Sequence, residues 1–198
     1  MSNKRRSLFR KSGFREQVPV ILIATEGKET EPQYFEIFKR MKNNVQIRIL
    51  GSNKGGSSPT AVQKRMMKEN KENEIGERDK AWLVIDTDQW KTNQLNAAYE
   101  WSISKANYGL AVSNPMFEYW LLLHFEEGHD IHSKQECVDR LLRQLPGYRK
   151  NNINRDKFTL SRTGEAIIRA KNKDNPPCVK WPEITGTTVY KLVEMLIT

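Results

Sequence analysis

Cysteine is scarce. The 198 residues hold only Cys137 and Cys178, far apart in sequence, with neither a CxxC nor a paired-histidine spacing beside them. That argues against a disulfide framework and against a zinc site. Long apolar runs are missing too: no segment approaches the roughly 18 to 20 apolar residues of a membrane span, and the first residues lack the apolar core of a signal peptide. These absences predict a cytoplasmic chain with no membrane partner. A Walker loop is also lacking, because the one Gly-rich stretch, Gly51-Ser52-Asn53-Lys54-Gly55-Gly56-Ser57-Ser58, does not fit GxxxxGK[ST]. Acidic residues are outnumbered, 24 against 33 Lys and Arg, for a formal charge of +9. The excess favours a polyanionic partner, with a solvated basic surface as the plainer alternative.

What is present is organised around Trp82-Leu83-Val84-Ile85-Asp86-Thr87-Asp88. An apolar, β-branched run that stops at two carboxylates reads as a buried strand delivering acids to its carboxyl end. Side chains alternate along a strand, so Asp86 and Asp88 lean to one side while extended geometry persists. A second run, Val18-Pro19-Val20-Ile21-Leu22-Ile23-Ala24-Thr25, ends in Glu26-Gly27 and is expected to bring Glu26 beside the aspartates. Clustered carboxylate oxygens suit a hard cation such as Mg²⁺ or Mn²⁺. The plainer reading makes them strand-end solubilisers or helix caps.

Further elements are read from periodicity. A helix begins at Thr30-Glu31-Pro32, with Thr30 as N-cap, and sets Tyr34, Phe38 and Met41 against the sheet. Glu31 either favours the helix dipole or joins the metal shell. Val45 to Leu50 alternates as a strand. Residues 51 to 58 form either a mobile loop or a phosphate cradle at the N-terminus of a helix over Pro59 to about Asn73, whose Lys64, Arg65 and Lys68 extend the basic surface. A helix over about Asn93 to Lys105 and a strand at Tyr108 to Val112 follow.

Ser113 or Asn114 then caps a helix with Pro115 at N1, and Glu118 falls in its first turn as either a dipole-favouring residue or a fourth acid. His124 shares a face with Phe117, Trp120 and Leu121 and reads as a core-edge histidine. His129-Asp130-His132 reads as a polar loop. Three more helices are predicted at about Ser133 to Leu145, Thr159 to Ala170 and Thr187 to Ile197. Strand–helix alternation through residue 125 implies an α/β fold with a mostly parallel central sheet flanked by helices, its ligand site outside the strands' carboxyl ends. Glu26, Asp86 and Asp88 map to that edge.

Assembled in order, these residues resemble the RloB-like family, regarded as relatives of the Toprim domains of topoisomerases, primases and OLD-family nucleases. The resemblance is carried by Glu26-Gly27-x-x-Thr30-Glu31-Pro32-x-Tyr34-Phe35, by Asp86-x-Asp88, by Ser113-Asn114-Pro115-x-Phe117-Glu118-x-Trp120-Leu121-Leu122-Leu123-His124-Phe125, and by Thr187-Thr188-Val189-Tyr190-Lys191. It implies a Toprim-like fold in which Glu26 acts as acid/base or metal ligand and Asp86 with Asp88 hold Mg²⁺ for phosphodiester chemistry, and it marks Glu31 and Glu118 as further candidate ligands. It also implies a setting in restriction-modification or antiphage defence, beside an AAA or ABC-type ATPase that controls the nuclease. One departure stands out: Gln89 and Trp90 follow Asp88 where the wider pattern often has a further acid or glycine.

The expected organisation is a basic N-terminal arm over residues 1–17, a Toprim-like catalytic core over 18–125, and a helical C-terminal extension over 126–198 packed on that core. The expected activity is Mg²⁺-dependent cleavage of nucleic acid, with Glu26, Asp86 and Asp88 as catalytic or metal-ligating residues. Lys28 and Lys54 would meet phosphate, and Arg5, Arg6, Arg10 and Lys11, interleaved with Leu8, Phe9 and Phe14, would hold the strand unless the arm serves only solubility. The alternative is a nucleic-acid-binding or regulatory subunit that kept the fold without turnover. Homo-oligomerisation is left open.

Overall fold

The computed structural model describes residues 18–41, 44–52, 56–73, 75–87 and 90–198. Along the chain run β1 (Val20–Thr25), α1 (Thr30–Lys39), β2 (Gln46–Leu50), α2 (Pro59–Asn73), β3 (Lys80–Asp86), α3 (Thr92–Ile103), β4 (Tyr108–Asn114), α4 (Phe117–Leu122), α5 (Lys134–Gln144), a 3-10 turn at Arg155–Lys157, α6 (Leu160–Lys173), β5 (Gly186–Thr187) and α7 (Val189–Ile197). The strands form one sheet in the order β2-β1-β3-β4-β5. All neighbours are parallel except β5, which runs antiparallel to β4. This is an α/β fold consistent with a Toprim-like architecture.

Alternation in the strands explains the two layers. In β1, Ile21 and Ile23 pack on one face with α1 and α4 to α7, while Leu22 and Ala24 pack on the other with α2 and α3. The chain steps from β1 to β2 through α1, then reverses across β1 to β3 through α2. Right-handed crossovers in opposite directions place their helices on opposite faces. In α1 the apolar stripe of Tyr34, Phe35 and Phe38 is fully buried, each ring contributing about 1.5–3 kcal/mol. One close approach fixes a glycine: a Cβ at Gly109 would lie 2.5 Å from the Trp82 ring on the neighbouring strand.

Four local expectations are corrected. Glu29, not Thr30, holds the N-cap position of α1, and the Thr30 hydroxyl donates instead to the carbonyl of Lys150 at 3.1 Å. Met41 follows the C-cap Arg40 and is exposed, so it does not face the sheet. Ser113 and Asn114 continue β4 because Gly186 and Thr187 pair with them, leaving Met116 as the N-cap of α4. Thr187 belongs to β5, and α7 starts at Val189. Among the described residues no helix is long and apolar enough to cross a membrane.

Candidate active site

The strand order reverses between β1 and β3, and in open α/β sheets the crevice outside the carboxyl ends at such a point is the usual ligand site. Glu26 follows β1 and Asp86 ends β3. The ladder itself fixes both backbones: Glu26 N donates to the Val84 carbonyl at 3.0 Å, and Thr87 N to that of Ser113 at 2.9 Å. From there the Glu26 carboxylate crosses to β3, where Oε2 accepts from the amide of Asp86 at 3.0 Å. The Trp90 indole donates to both its oxygens, at 3.0 Å each. The residue that departs from the expected acid or glycine therefore holds Glu26 in place.

Two helices add acids to the same cavity, which has a volume of about 310 Å³ and is lined by Glu26, Glu31, Asp86 and Glu118 together with Lys28 and Lys150. Glu31 enters from the first turn of α1, and its Oε1 accepts from the amide of Gly27 at 2.8 Å. A Cβ at Gly27 would stand 2.2 Å from Oε2 of Glu31, so this carboxylate needs a glycine there. Glu118 enters from the first turn of α4. Its Oε1 accepts from the Tyr148 hydroxyl at 2.9 Å and pairs with the Lys150 ammonium at 3.6 Å. Glu118, Glu31 and Glu26 are only 3%, 6% and 9% exposed.

Crowding shows in the electrostatics. Burial, then the charges of Glu31, Glu26 and Glu118, push the Asp86 carboxyl well above its ordinary value, against an opposing hydrogen bond from the Phe117 amide. Burial also raises Glu31; its own amide and that of Gly27 oppose this, Glu118 adds to it, and Lys150 reduces it. Like charges gathered in a low dielectric resist ionisation until a cation joins them. The donor set is all carboxylate oxygen, the chemistry that hard divalent ions select. Among the described residues, however, no three His, Cys, Asp or Glu side chains are disposed to hold an ion as they stand. Glu26 and Glu31 are turned toward N–H donors of the protein.

Of the residues expected from sequence, Glu26, Glu31, Asp86, Glu118 and Lys28 line this cavity. The exposed Lys28 ammonium sits 3.9 Å from Glu29. Asp88, Lys54, Arg5, Arg6, Arg10 and Lys11 lie outside the described residues. Tyr148, Lys150 and Trp90 were not anticipated as site residues. Nor was the role of Arg65: its guanidinium donates to the carbonyls of Thr25 at 2.6 Å and Gly56 at 3.2 Å, tying α2 to the end of β1 beside Glu26. His124 is a core residue, bonded to the Tyr34 hydroxyl and the Trp120 carbonyl, and burial pushes it down to about 3.

A family model described as RloB-like protein matches residues 21–196, from β1 into α7. The chain belongs to the RloB-like family. No curated protein and no solved structure matches it. In this RloB-like protein Glu26 and Glu31 and the Tyr148–Lys150 loop, more than a hundred residues apart, build one site with Asp86 and Glu118.

Proposed function

We propose that this RloB-like protein is a nuclease dependent on Mg²⁺ or Mn²⁺ that hydrolyses phosphodiester bonds of RNA or DNA, in an antiphage defence or abortive-infection setting controlled by a partner ATPase. The observation that carries it is the convergence of Glu26, Glu31, Asp86 and Glu118, from β1, α1, β3 and α4, on one cavity at the switch point. The defence setting and the ATPase rest on the family resemblance.

Asp86 and Glu26, with Asp88 two residues beyond Asp86 in sequence, are the residues that would hold a divalent ion, and Glu31 and Glu118 would complete its surroundings. Such an ion, when bound, orients phosphate, activates water and neutralises charge on the leaving oxygen. The chain's own part is positioning. Trp90 and the Asp86 amide hold the Glu26 carboxylate where it is able to accept a proton from water. Lys28 and Lys150 reach the cavity rim and draw phosphate toward four acids that would otherwise repel it. The net charge of +9 adds long-range attraction for nucleic acid.

Incubating the protein with labelled tRNA, single-stranded and duplex substrates, in Mg²⁺ or Mn²⁺, tests this reading. Wild type is expected to cleave at least one substrate, and Asp86→Ala to lose activity by about a hundredfold or more. Wild type and variant leaving every substrate equally intact, even with the partner ATPase present, would refute it.

Two observations favour a second reading. The hydrogen bonds from Trp90 occupy Glu26, and no three described acids stand ready for an ion; both suit a nucleic-acid-binding subunit without turnover. That reading predicts salt-sensitive binding which survives replacement of the acids.

A further inference from the structure

Tyr148 links two cavities. Its hydroxyl reaches Glu118 in the acidic site, and the residue also lines a separate polar cavity of about 270 Å³ with Gln144, Asn152, Asn154 and Lys157. That volume lies just below the roughly 300–1,000 Å³ range of drug-sized sites, so it suits nothing larger than one flat ring system. Its lining combines three carboxamides, an aromatic side chain and a lysine with Leu145, Pro146 and Gly147. Carboxamides offer a donor and an acceptor together, the pairing that the edge of a nucleobase requires. Aromatic side chains supply the stacking surface common to single-strand binders.

The segment that forms this cavity is fixed rather than loose. The carbonyl of Lys150 accepts from Thr30 and from Gln33 Nε2, at 3.1 and 3.2 Å, and the amide of Ile153 donates to Gln33 Oε1 at 3.2 Å. Arg149 bridges Asn152 across the turn, and Ile153 and Phe158 are buried beneath it. The polar side chains are left outward. The Asn152 backbone amide donates to the Arg149 carbonyl at 2.9 Å, but among the described residues its side-chain carboxamide has no hydrogen-bond partner, and Arg149, Arg155 and Lys157, all exposed, have no ion-pair partner. Unpaired cations and an unpaired carboxamide on a braced platform are what a phosphate backbone with a splayed base would engage.

We infer that the cavity behind Tyr148 is a pocket for one unpaired nucleobase next to the scissile phosphate, so that the substrate is single-stranded or looped nucleic acid. The inference rests on the proposed nuclease reading for the scissile phosphate alone; the pocket itself is tested by binding. A base seated there is out of its stack and unpaired, which excludes an intact duplex.

The test uses the full chain carrying Asp86→Asn, without divalent cation, so that binding is read apart from cleavage. Fluorescence anisotropy follows labelled deoxy and ribo strands of about twelve nucleotides, each beside an abasic counterpart of equal charge and beside a duplex of equal length. The base-bearing strand of at least one sugar type is expected to bind about tenfold tighter than its abasic counterpart and its duplex. Adding Asn152→Ala, at an exposed position, is expected to narrow that difference by about threefold, the base-bearing strand losing more affinity than the abasic one. Equal binding of base-bearing and abasic strands, equal binding of the duplex, or no binding of any strand overturns the pocket. Base discrimination without cleavage by wild type would leave the pocket standing and remove the nuclease reading; equal cleavage of abasic and intact strands would do the reverse.

Discussion

The Trp90 indole nitrogen, just beyond β3, lies 3.0 Å from each oxygen of the carboxylate of Glu26, which follows the neighbouring strand β1. A hydrogen bond to an ionised group contributes about 1.5–3 kcal/mol, and its loss leaves a partly buried charge less satisfied. Trp90→Phe, which keeps an aromatic side chain of smaller size and removes the donor, is therefore expected to lower stability by about 1–2 kcal/mol in urea titrations. It is also expected to depress cleavage more than tightness of substrate binding, because Glu26 loses its orientation. Unchanged stability and unchanged cleavage would show that the contact holds nothing.

Asp86 sets a pH dependence whose sign follows from its neighbours. Burial and the charges of Glu31, Glu26 and Glu118 raise its folded-state pKa above the ordinary 3.8. Below that value both states are protonated and the group costs nothing. As pH rises above it, the unfolded chain ionises while the folded one resists, so metal-free protein loses stability with rising pH. Asp86→Asn removes the conflict and is expected to be more stable at pH 7 by about 1–3 kcal/mol in thermal melts with a chelator present. Adding Mn²⁺ is expected to stabilise wild type and not the variant. A less stable variant in chelator would contradict the charge-crowding account.

Lys150 pairs with the buried Glu118 while its own side chain is largely exposed. Its removal leaves the buried Glu118 and Glu31 carboxylates without the ammonium and is expected to lower stability as well as to act on substrate. For Lys150→Ala the slope of log affinity against log salt is expected to fall by about 1, with weaker binding across sequences. An unchanged slope would confine Lys150 to the Glu118 pair.

His124 gives the opposite pH sign from Asp86. Burial pushes it from 6.5 to about 3, so it stays neutral when folded. As pH falls below 6.5 the unfolded chain takes up a proton that the folded one refuses, and stability declines toward pH 3 by on the order of 4 kcal/mol. His124→Gln retains an acceptor and a donor for Tyr34 and Trp120. It is expected to flatten the pH dependence of urea midpoints between about pH 4 and 6.5. An equally steep dependence in the variant would place the acid sensitivity elsewhere.

Much of the sheet was legible because its inner strands, buried on both faces, carry continuous apolar runs: β1, β3 and β4 each declare themselves, and the acids at two of their ends fall where the topology puts a ligand. The two-residue β5 has no periodicity to read, and without it Ser113 and Asn114 look like helix caps rather than strand. Met41 keeps helical spacing with Phe38, yet spacing does not reveal that α1 has already ended at Lys39. In the site, Glu26 and Asp86 were readable from strand ends. Trp90 was not, since an indole in place of an acid looks like a loss until its N–H is seen on Glu26. Tyr148 and Lys150 carry no local motif; long-range contacts bring that loop to the acids, among them the hydrogen bonds from Thr30 and Gln33 to the Lys150 carbonyl and from Tyr148 to Glu118. Arg65 shows the same limit, appearing in sequence as one more basic residue on a polar helix.

The most direct test of the central claim, that these acids hold a divalent ion, is the anomalous scattering of manganese in crystals grown with Mn²⁺. The account predicts a peak inside the cavity between β1 and β3, with an Asp86 oxygen and at least one oxygen of Glu26, Glu31 or Glu118 within about 2.0–2.3 Å. A saturated crystal with no peak there, and with Glu26 still held by Trp90, would contradict it.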